Sequence, residues 1–483
     1  MSHQSPDYFK DVNTTPRPID AAVAPLAYFM KKEAAGGIVL MVGAVAALVL
    51  ANFPLGGVGL AFHEFWTGTP ITLNVGSWVF PSGKHPAHLE WWVNDALMAA
   101  FFFVIGLEIK REFLAGELRD PRKAALPLVA AVGGMAVPGL IYAAFNWGGE
   151  AMRGWAIPTA TDIAFALGVL ALLGRRIPPG LRVFLVTLAI ADDLGALLII
   201  AIFYTSSEHL SMASLGLAAA AMGVMGGMNL LGVRRWWVFG LVGLALWYFV
   251  LQSGVHPTIA GVMGAMMIPV RTRIDGAEFT KAARRLADEF DRDAAVANGG
   301  AGGDGNEKKT MLVTSPVQQG VLRTMEQLTE GAQTPLQRLE KGMVPLAAFF
   351  VVPVFALANA GVSVGDVAGR AVRDSEAWGI VLGLVVGKTV GILGASFLAV
   401  RLGLSVLPTG VTWRHMLGAA LLGGIGFTMS LFIAHLAFGS SERLEIAKLA
   451  VLTGSTLAAV LGAGVLLTCR PTVAATPPTA SEH

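Results

Sequence analysis

A single cysteine, Cys469, occurs in 483 residues, so the chain can form no internal disulfide and holds no multi-cysteine metal or redox motif. Charge is scarce as well. Asp, Glu, Lys and Arg make up 14% of the residues, where soluble domains use roughly 25%. The formal net charge is +2 and is scattered, which excludes a steering field for nucleic acid or acidic substrates. The first 30 residues carry four prolines and several charges instead of a short apolar core, so no cleavable signal is expected. What the chain has in abundance is apolar sequence, 54% of all residues, gathered in long runs. The balance excludes a soluble domain and predicts an all-α polytopic membrane protein.

Runs able to cross about 30 Å of hydrocarbon fall near 34–52, 91–109, 124–145, 155–174, 181–203, 211–231, 236–252, 255–270, 343–360, 377–400, 414–437 and 445–468. About 12 transmembrane helices are therefore expected, two of them short for a full crossing. With the N-terminus inside, that side carries 17 of the 35 Lys and Arg and the opposite side 6. Basic residues near span ends resist translocation, which places both termini in the cytoplasm. Of the other 12, 11 lie between Arg271 and Lys341 and one, Lys388, lies inside a span.

The expected organisation is a cytoplasmic tail 1–33, eight spans in 34–270 with an outer hairpin region 53–90, a cytoplasmic insertion 271–342, four spans in 343–468 and a cytoplasmic tail 469–483. The insertion contains ANGGAGGDGNEKK beside amphipathic patterns such as EFTKAARRLADEF, and reads as a flexible linker. ITLNVGSWVF, from Ile71 to Phe80, partly alternates polar with apolar residues and ends at Pro81-Ser82-Gly83, a pattern for a small β-hairpin. His63, His85 and His88 share this loop without spaced acidic or thiol partners, so they read as solvated residues and not as metal ligands.

Four charged residues interrupt the apolar runs: Asp162, Asp192, Asp193 and Lys388. In TLAIADDLGALLIIAIFYT, a helix beginning near Leu181 carries Asp192 and Asp193 roughly 15 Å deep, the middle of a bilayer. Each charge costs about 2.5 to 3.5 kcal/mol there and the four about 10, against a net protein stability of order 5 to 15 kcal/mol. A structural ion pair balances Lys388 against one aspartate and leaves two carboxylates unexplained. Adjacent helical residues point about 100° apart, so one aspartate can line a cavity while the other meets a neighbouring helix. A carboxylate in low dielectric beside a like charge holds its proton more tightly than in water, and a hard monovalent cation wants oxygen ligands. A site that takes either a proton or such a cation, never both, is the chemical core of an antiporter.

Two spans carry breaks in their pattern: AIPTATD from Ala156 to Asp162, and GGIGFT from Gly423 to Thr428. Pro and the β-branched threonines disfavour continuous helix, and Thr hydroxyls can satisfy the freed backbone groups. Taken singly, each stretch fits tight helix packing as well as a break. They fall in spans four and eleven, which cross in opposite directions, so spans 3–5 and 10–12 form an inverted repeat by parity. Where two broken helices cross, helix N-termini present partial positive charge and C-termini partial negative charge. Asp162 suits the first, while Lys388 suits the second and can pair with Asp192.

GLEIKRE from Gly106, ATDIAFALGVLALLG from Ala160, IADDLG from Ile190, SGVHPTIAG from Ser253, FALANAGV from Phe355 and GIGFTMSLFIA from Gly424 together resemble the NhaA-type bacterial sodium/proton antiporters. The match runs through nearly all spans, and that family is itself an established example of broken helices in an inverted repeat. The resemblance implies that Asp192 and Asp193 are the cation and proton site, with Asp193 the direct ligand of Na+ or Li+. It implies that Asp162 with Thr161 and Lys388 compensates the helix ends. Transport would proceed by alternating access, with more than one inward proton per exported sodium, hence electrogenically, and with no cofactor beyond the transported ions. A bacterial inner membrane location and a homodimer joined partly through the outer hairpin are implied too.

The same resemblance assigns Glu108, Lys110, Arg111 and Glu112, with Glu340, to a cytoplasmic funnel that contributes to pH activation; by themselves they read as an ordinary solvated helix end. It links His256 to pH response, where a local hydrogen bond is the plain alternative, and places Asp95, otherwise a first-turn acid, near the outward exit. Two departures stand out: Gly387-Lys388-Thr389 lacks the proline that often follows this lysine, and Lys341-Gly342-Met343-Val344 after Glu340 contains no histidine. A proton-coupled carrier of organic solutes would want arginine anchors, and no span has an interior Arg. An intramembrane aspartyl protease leaves the adjacent Asp pair and Lys388 without a role, and a passive channel is disfavoured by so selective a site.

Overall fold

In hydrocarbon an isolated segment satisfies its own backbone only as helix, and the chain obeys that rule nearly throughout. A computed structural model describes residues 35–53, 57–75, 78–81, 88–205, 210–299, 315–439 and 441–469. In order, these form α1 (Ala35–Ala51), α2 (Val58–Gly68), β1 (Leu73–Val75) and β2 (Trp78–Phe80), then α3 (Leu89–Ala115) and α4 (Pro121–Asn146). α5 (Ile163–Leu172), α6 (Pro179–Phe203), α7 (Met212–Leu230), α8 (Trp236–Ser253) and α9 (Thr258–Met267) follow. α10 (Gly276–Gly299) and α11 (Pro316–Ala332) occupy the insertion. The remainder is α12 (Pro335–Asn359), α13 (Val364–Ala371), α14 (Ser375–Arg401), α15 (Trp413–Leu422), α16 (Phe427–Phe438) and α17 (Glu442–Leu467).

Eight of these helices are long and apolar enough to cross a membrane: α3, α4, α6, α7, α8, α12, α14 and α17. Two bent pairs raise the number to ten, namely Glu150–Thr159 with α5, bent by 41°, and α15 with α16, bent by 43°. They are the two spans whose patterns are interrupted. α1 and α9 are apolar but shorter, at 17 and 10 residues. The chain is thus an all-helical, multi-pass membrane protein.

Packing divides the chain into two units. The first comprises Met1–Asn94, Asp120–Ile199 and Ala348–His483. Its central seam joins α4 to α14 at glycines that admit close backbone approach, as in membrane helix pairs generally. A Cβ on Gly387 would lie 2.8 Å from Pro138 Cα, and one on Gly134 would lie 2.8 Å from Ile392 Cγ1 and 3.8 Å from Lys388 Cδ. This seam holds the lysine stem. In the hairpin expected from Ile71 to Phe80, β1 and β2 pair antiparallel, Leu73 opposite Phe80. Phe80 meets the rings of Trp91 and Trp92 edge-on, and Trp92 Nε1 donates to Ile71 O at 2.9 Å. His63 is exposed on α2, His88 bridges to Pro70, and His85 lies outside the described residues. Among the described residues no group of three His, Cys, Asp or Glu could hold a metal.

The second unit comprises Asp95–Arg119 and Ile200–Ala347. Leu107 of α3, Phe239, Leu246 and Val250 of α8, and Ala260, Ala265 and Ile268 form its core. Within the insertion, α10 and α11 pack against each other, and Arg273 and Ile274 both donate backbone N–H to Gly331 O, at 2.9 and 3.1 Å. Ser315 begins α11 with a capping box and also hydrogen-bonds Asp293. Its described parts are helical on both sides of the glycine-rich stretch, as the amphipathic pattern predicts, and Phe279, Leu286 and Phe290 lie half-buried on one face of α10. Most of ANGGAGGDGNEKK lies outside the described residues, as do the tails 1–33 and 470–483.

Candidate ion-binding site

Each break in the pattern becomes a break in a helix. Pro158 lies in a tight turn of Ile157–Thr159, the chain is extended at Ala160 and Asp162, and α5 starts at Ile163. Gly423 to Gly426 likewise separate α15 from α16. At their crossing the two interruptions satisfy each other's free backbone groups, which hydrocarbon cannot do. Asp162 N–H donates to Ile425 O at 2.6 Å and Thr161 Oγ1 to Gly423 O at 2.7 Å. Ser430 Oγ donates to Ile157 O at 2.6 Å, and Phe427 N–H donates to Ser455 Oγ at 3.1 Å.

Asp162 caps two helices at once. Its Oδ1 accepts from Phe165 N–H in the first turn of α5 at 2.9 Å. Its Oδ2 accepts from Thr428 N–H and Oγ1 in the first turn of α16, at 3.1 and 2.5 Å. One carboxylate thus meets two partial positive ends. The opposite charge is supplied by Lys388, whose Nζ donates to Asp192 Oδ2 at 2.6 Å and to Thr161 Oγ1 at 3.0 Å. Because Thr161 passes its own proton to Gly423 O, it links the lysine to the C-terminal end of α15.

Asp162, Asp192, Asp193 and Lys388 are all at most 3% exposed. Asp192 Oδ1 has no hydrogen-bond donor among the described residues. Asp193 follows on α6. Asp192 meets the neighbouring helix through Lys388. Thr389 continues the helix by donating Oγ1 to Val385 O at 2.6 Å, and a π-turn over Gly383–Gly387 supplies the local distortion just before Lys388.

The residues expected near the cytoplasmic end of α3 split into two roles. Lys110 Nζ donates to Met266 O and Ile268 O, at 2.5 and 2.6 Å, closing the C-terminal end of α9 as a cation should. Arg111 pairs with Glu340 of α12 and, at 3.0 Å, with Glu112, whose other oxygen accepts from Glu117 N–H at 3.1 Å. Glu108 is half-buried one turn earlier. His256 Nδ1 lies 2.8 Å from Thr258 Oγ1, the local hydrogen bond, while its Nε2 lies 3.9 Å from Asp95 Oδ1. His256 and Asp95, far apart in the sequence, are thus neighbours.

Thr428, Ser430 and Ser455 take part in the crossing without having been singled out as site residues. Thr428 sits two positions after Gly426, inside the first turn of any helix restarting there, and that was the available signal. Asn94 and Asn359 form a fully buried amide pair at 2.8 Å with no sequence pattern to announce it.

Residues 27–466 match the family described as Na+/H+ antiporter 1. The chain belongs to the NhaA family. It is 46% identical to the Na(+)/H(+) antiporter NhaA of Oleidesulfovibrio alaskensis over 443 residues, 92% of this chain and 93% of that one. The NhaA of Acidithiobacillus ferrooxidans is 46% identical over 442 residues, covering 91% and 96%. NhaA 1 of Saccharophagus degradans is 42% identical over 471 residues, 96% of each chain. NhaA membership makes this a transporter fold and not an enzyme, and the two bent helix pairs accord with it.

Proposed function

We propose that this protein is an electrogenic, pH-regulated antiporter that exports Na+ or Li+ in exchange for H+. The observation that carries this reading is the buried centre in which Lys388 neutralises one oxygen of Asp192 while Asp162 serves both helix N-termini. With the helix ends already compensated, Asp192 and Asp193 remain as the two carboxylates able to exchange protons for a cation. Asp193 is the direct cation ligand, and Asp192 joins it when Lys388 releases Oδ2. A cation and protons compete for the same oxygens, and one Na+ leaving against more than one H+ entering moves net charge.

Alternating access exposes this centre to one side at a time, within twelve spans arranged as inverted repeats 3–5 and 10–12. Glu108, Lys110, Arg111, Glu112, Glu340 and His256 set the pH response from the cytoplasmic funnel and its surroundings, and Asp95 lies on the outward exit. Both termini face the cytoplasm of a bacterium, in its inner membrane, and the region from Ile71 to Phe80 joins two copies into a homodimer. The domain limits follow, with 1–33, 271–342 and 469–483 cytoplasmic.

The test uses inside-out vesicles carrying an imposed proton gradient. Adding Na+ or Li+ dissipates the gradient between about pH 7 and pH 9, less so near pH 6, where protons hold the carboxylates; K+ does not. A gradient that collapses without regard to Na+ or Li+ contradicts the proposal.

A further inference from the structure

α15 ends at the ion site and begins at a titratable cap. Its N-cap is Thr412, whose Oγ1 accepts from His415 N–H at 3.4 Å, while His415 Nδ1 accepts from Thr412 N–H at 3.1 Å. This is a capping box with histidine in the place normally taken by glutamate or glutamine. Two other boxes of this kind occur among the described residues, Ser315 with Gln318 on α11 and Thr334 with Gln337 on α12, and both use glutamine. The half-helix whose far end, Gly423 O, is held by Thr161 beside Lys388 has the histidine.

Chemistry fixes the protonation state this box requires. A backbone N–H can only donate, so the complete box needs Nδ1 bare and the ring proton on Nε2; in that state the Thr412 hydroxyl, 2.9 Å away, can also donate to Nδ1. His415 is 6% exposed, and its Nε2 has no partner among the described residues. A second proton goes to Nδ1, where it opposes the Thr412 N–H, reverses the contact with Thr412 Oγ1 and puts a positive charge at a helix N-terminus, the wrong end for it. Among the described residues no carboxylate pairs with His415 to offset that charge. The helices packed on α15 bring Arg401 at the end of α14 and Cys469 just beyond α17 to this end, Arg414 is on α15 itself, and Arg182 follows Gly180, which touches the Pro408-Thr409 approach to the helix.

We propose that His415 is a positioning residue for ion exchange: neutral, it pins the start of α15 and so holds the Thr161–Lys388 end in place; protonated, it releases the cap and slows exchange. This rests on the antiport reading above. An ordinary imidazole titrates near pH 6.5; burial and the neighbouring arginines oppose the imidazolium, so this switch works on the acid side of that value. α15 spans only about 15 Å, so loosening one end reaches the other.

The experiment compares wild type, His415→Gln and His415→Ala by two readouts. One is Na+-driven gradient dissipation in vesicles from about pH 5 to pH 8, a range that spans the ordinary imidazole value and extends to its acid side. The other is backbone amide exchange of residues 412–417, corrected for the intrinsic pH dependence of exchange. In the wild type, protection of this segment falls on acidification. Glutamine completes the box at every pH, so His415→Gln keeps its protection and, at the acid end of the range, retains about fivefold more of its alkaline rate than wild type does. His415→Ala, without the box, is slower at all pH values by a similar factor and is rescued by glutamine. A His415→Gln protein with the wild-type pH profile and wild-type loss of protection overturns the proposal. Should the wild type show no Na+-driven exchange at all, the antiport reading fails, while the amide-exchange comparison still decides the cap.

Discussion

Asp193→Asn is expected to abolish Na+-driven proton exchange, by at least about a hundredfold, and to leave thermal stability within a few degrees of wild type. The amide keeps the shape of the side chain and an oxygen ligand, but it can neither bind a transported proton nor offer a full negative charge to a cation. At an effective dielectric near 20, a carboxylate about 4 Å from a monovalent cation contributes about 4 kcal/mol, close to a thousandfold in affinity. Stability is spared because Lys388 makes its hydrogen bond to Asp192, and a neutral residue beside Asp192 relieves like-charge repulsion in the buried centre. Vesicle transport and the thermal midpoint of the purified variant check the two halves of this expectation. Wild-type exchange in Asp193→Asn removes this carboxylate from the site.

The second large effect is on the fold. Lys388→Ala removes the partner of a carboxylate that is 1% exposed and cuts the tie to Thr161. Leaving a buried charge uncompensated costs about 3 to 5 kcal/mol, which lowers the thermal midpoint by at least about 5 °C. Exchange is expected to fall with it, since the C-terminal end of α15 loses its cation. Combining Lys388→Ala with Asp192→Asn removes both charges and recovers most of the lost stability, though not transport. A double variant no more stable than the single one places the stabilisation elsewhere than in the ion pair.

How far these roles were readable beforehand follows from what each residue costs. Asp162, Asp192, Asp193 and Lys388 stand out because hydrocarbon penalises charge so heavily that four such residues demand a reason. The two interruptions are legible for a related cause, since proline, paired threonines and clustered glycines break a pattern otherwise uniformly apolar. Thr428 carries no such penalty, because a threonine can satisfy its hydroxyl within its own helix, as Thr389 does on Val385 O. Its contact with Asp162 spans 266 residues of chain, beyond any local pattern. Lys110 was hidden in the same way, ending on backbone carbonyls 156 and 158 residues further along. The count of spans was limited by α9, whose 10 residues sit in an apolar stretch too long for the helix it forms. The insertion reads as a linker because glycine dominates its middle, yet the faces of α10 and α11 that meet were already apolar at helical spacing.

Proton release on sodium binding addresses the competition between the two ions most directly. Purified protein in weakly buffered solution, titrated with Na+ at a series of fixed pH values, should release protons as the cation binds. On the acid side its apparent affinity for Na+ should fall about tenfold or more for each unit of pH. Sodium binding that releases no proton, with an affinity indifferent to pH, would show that the two ions do not share the buried carboxylates.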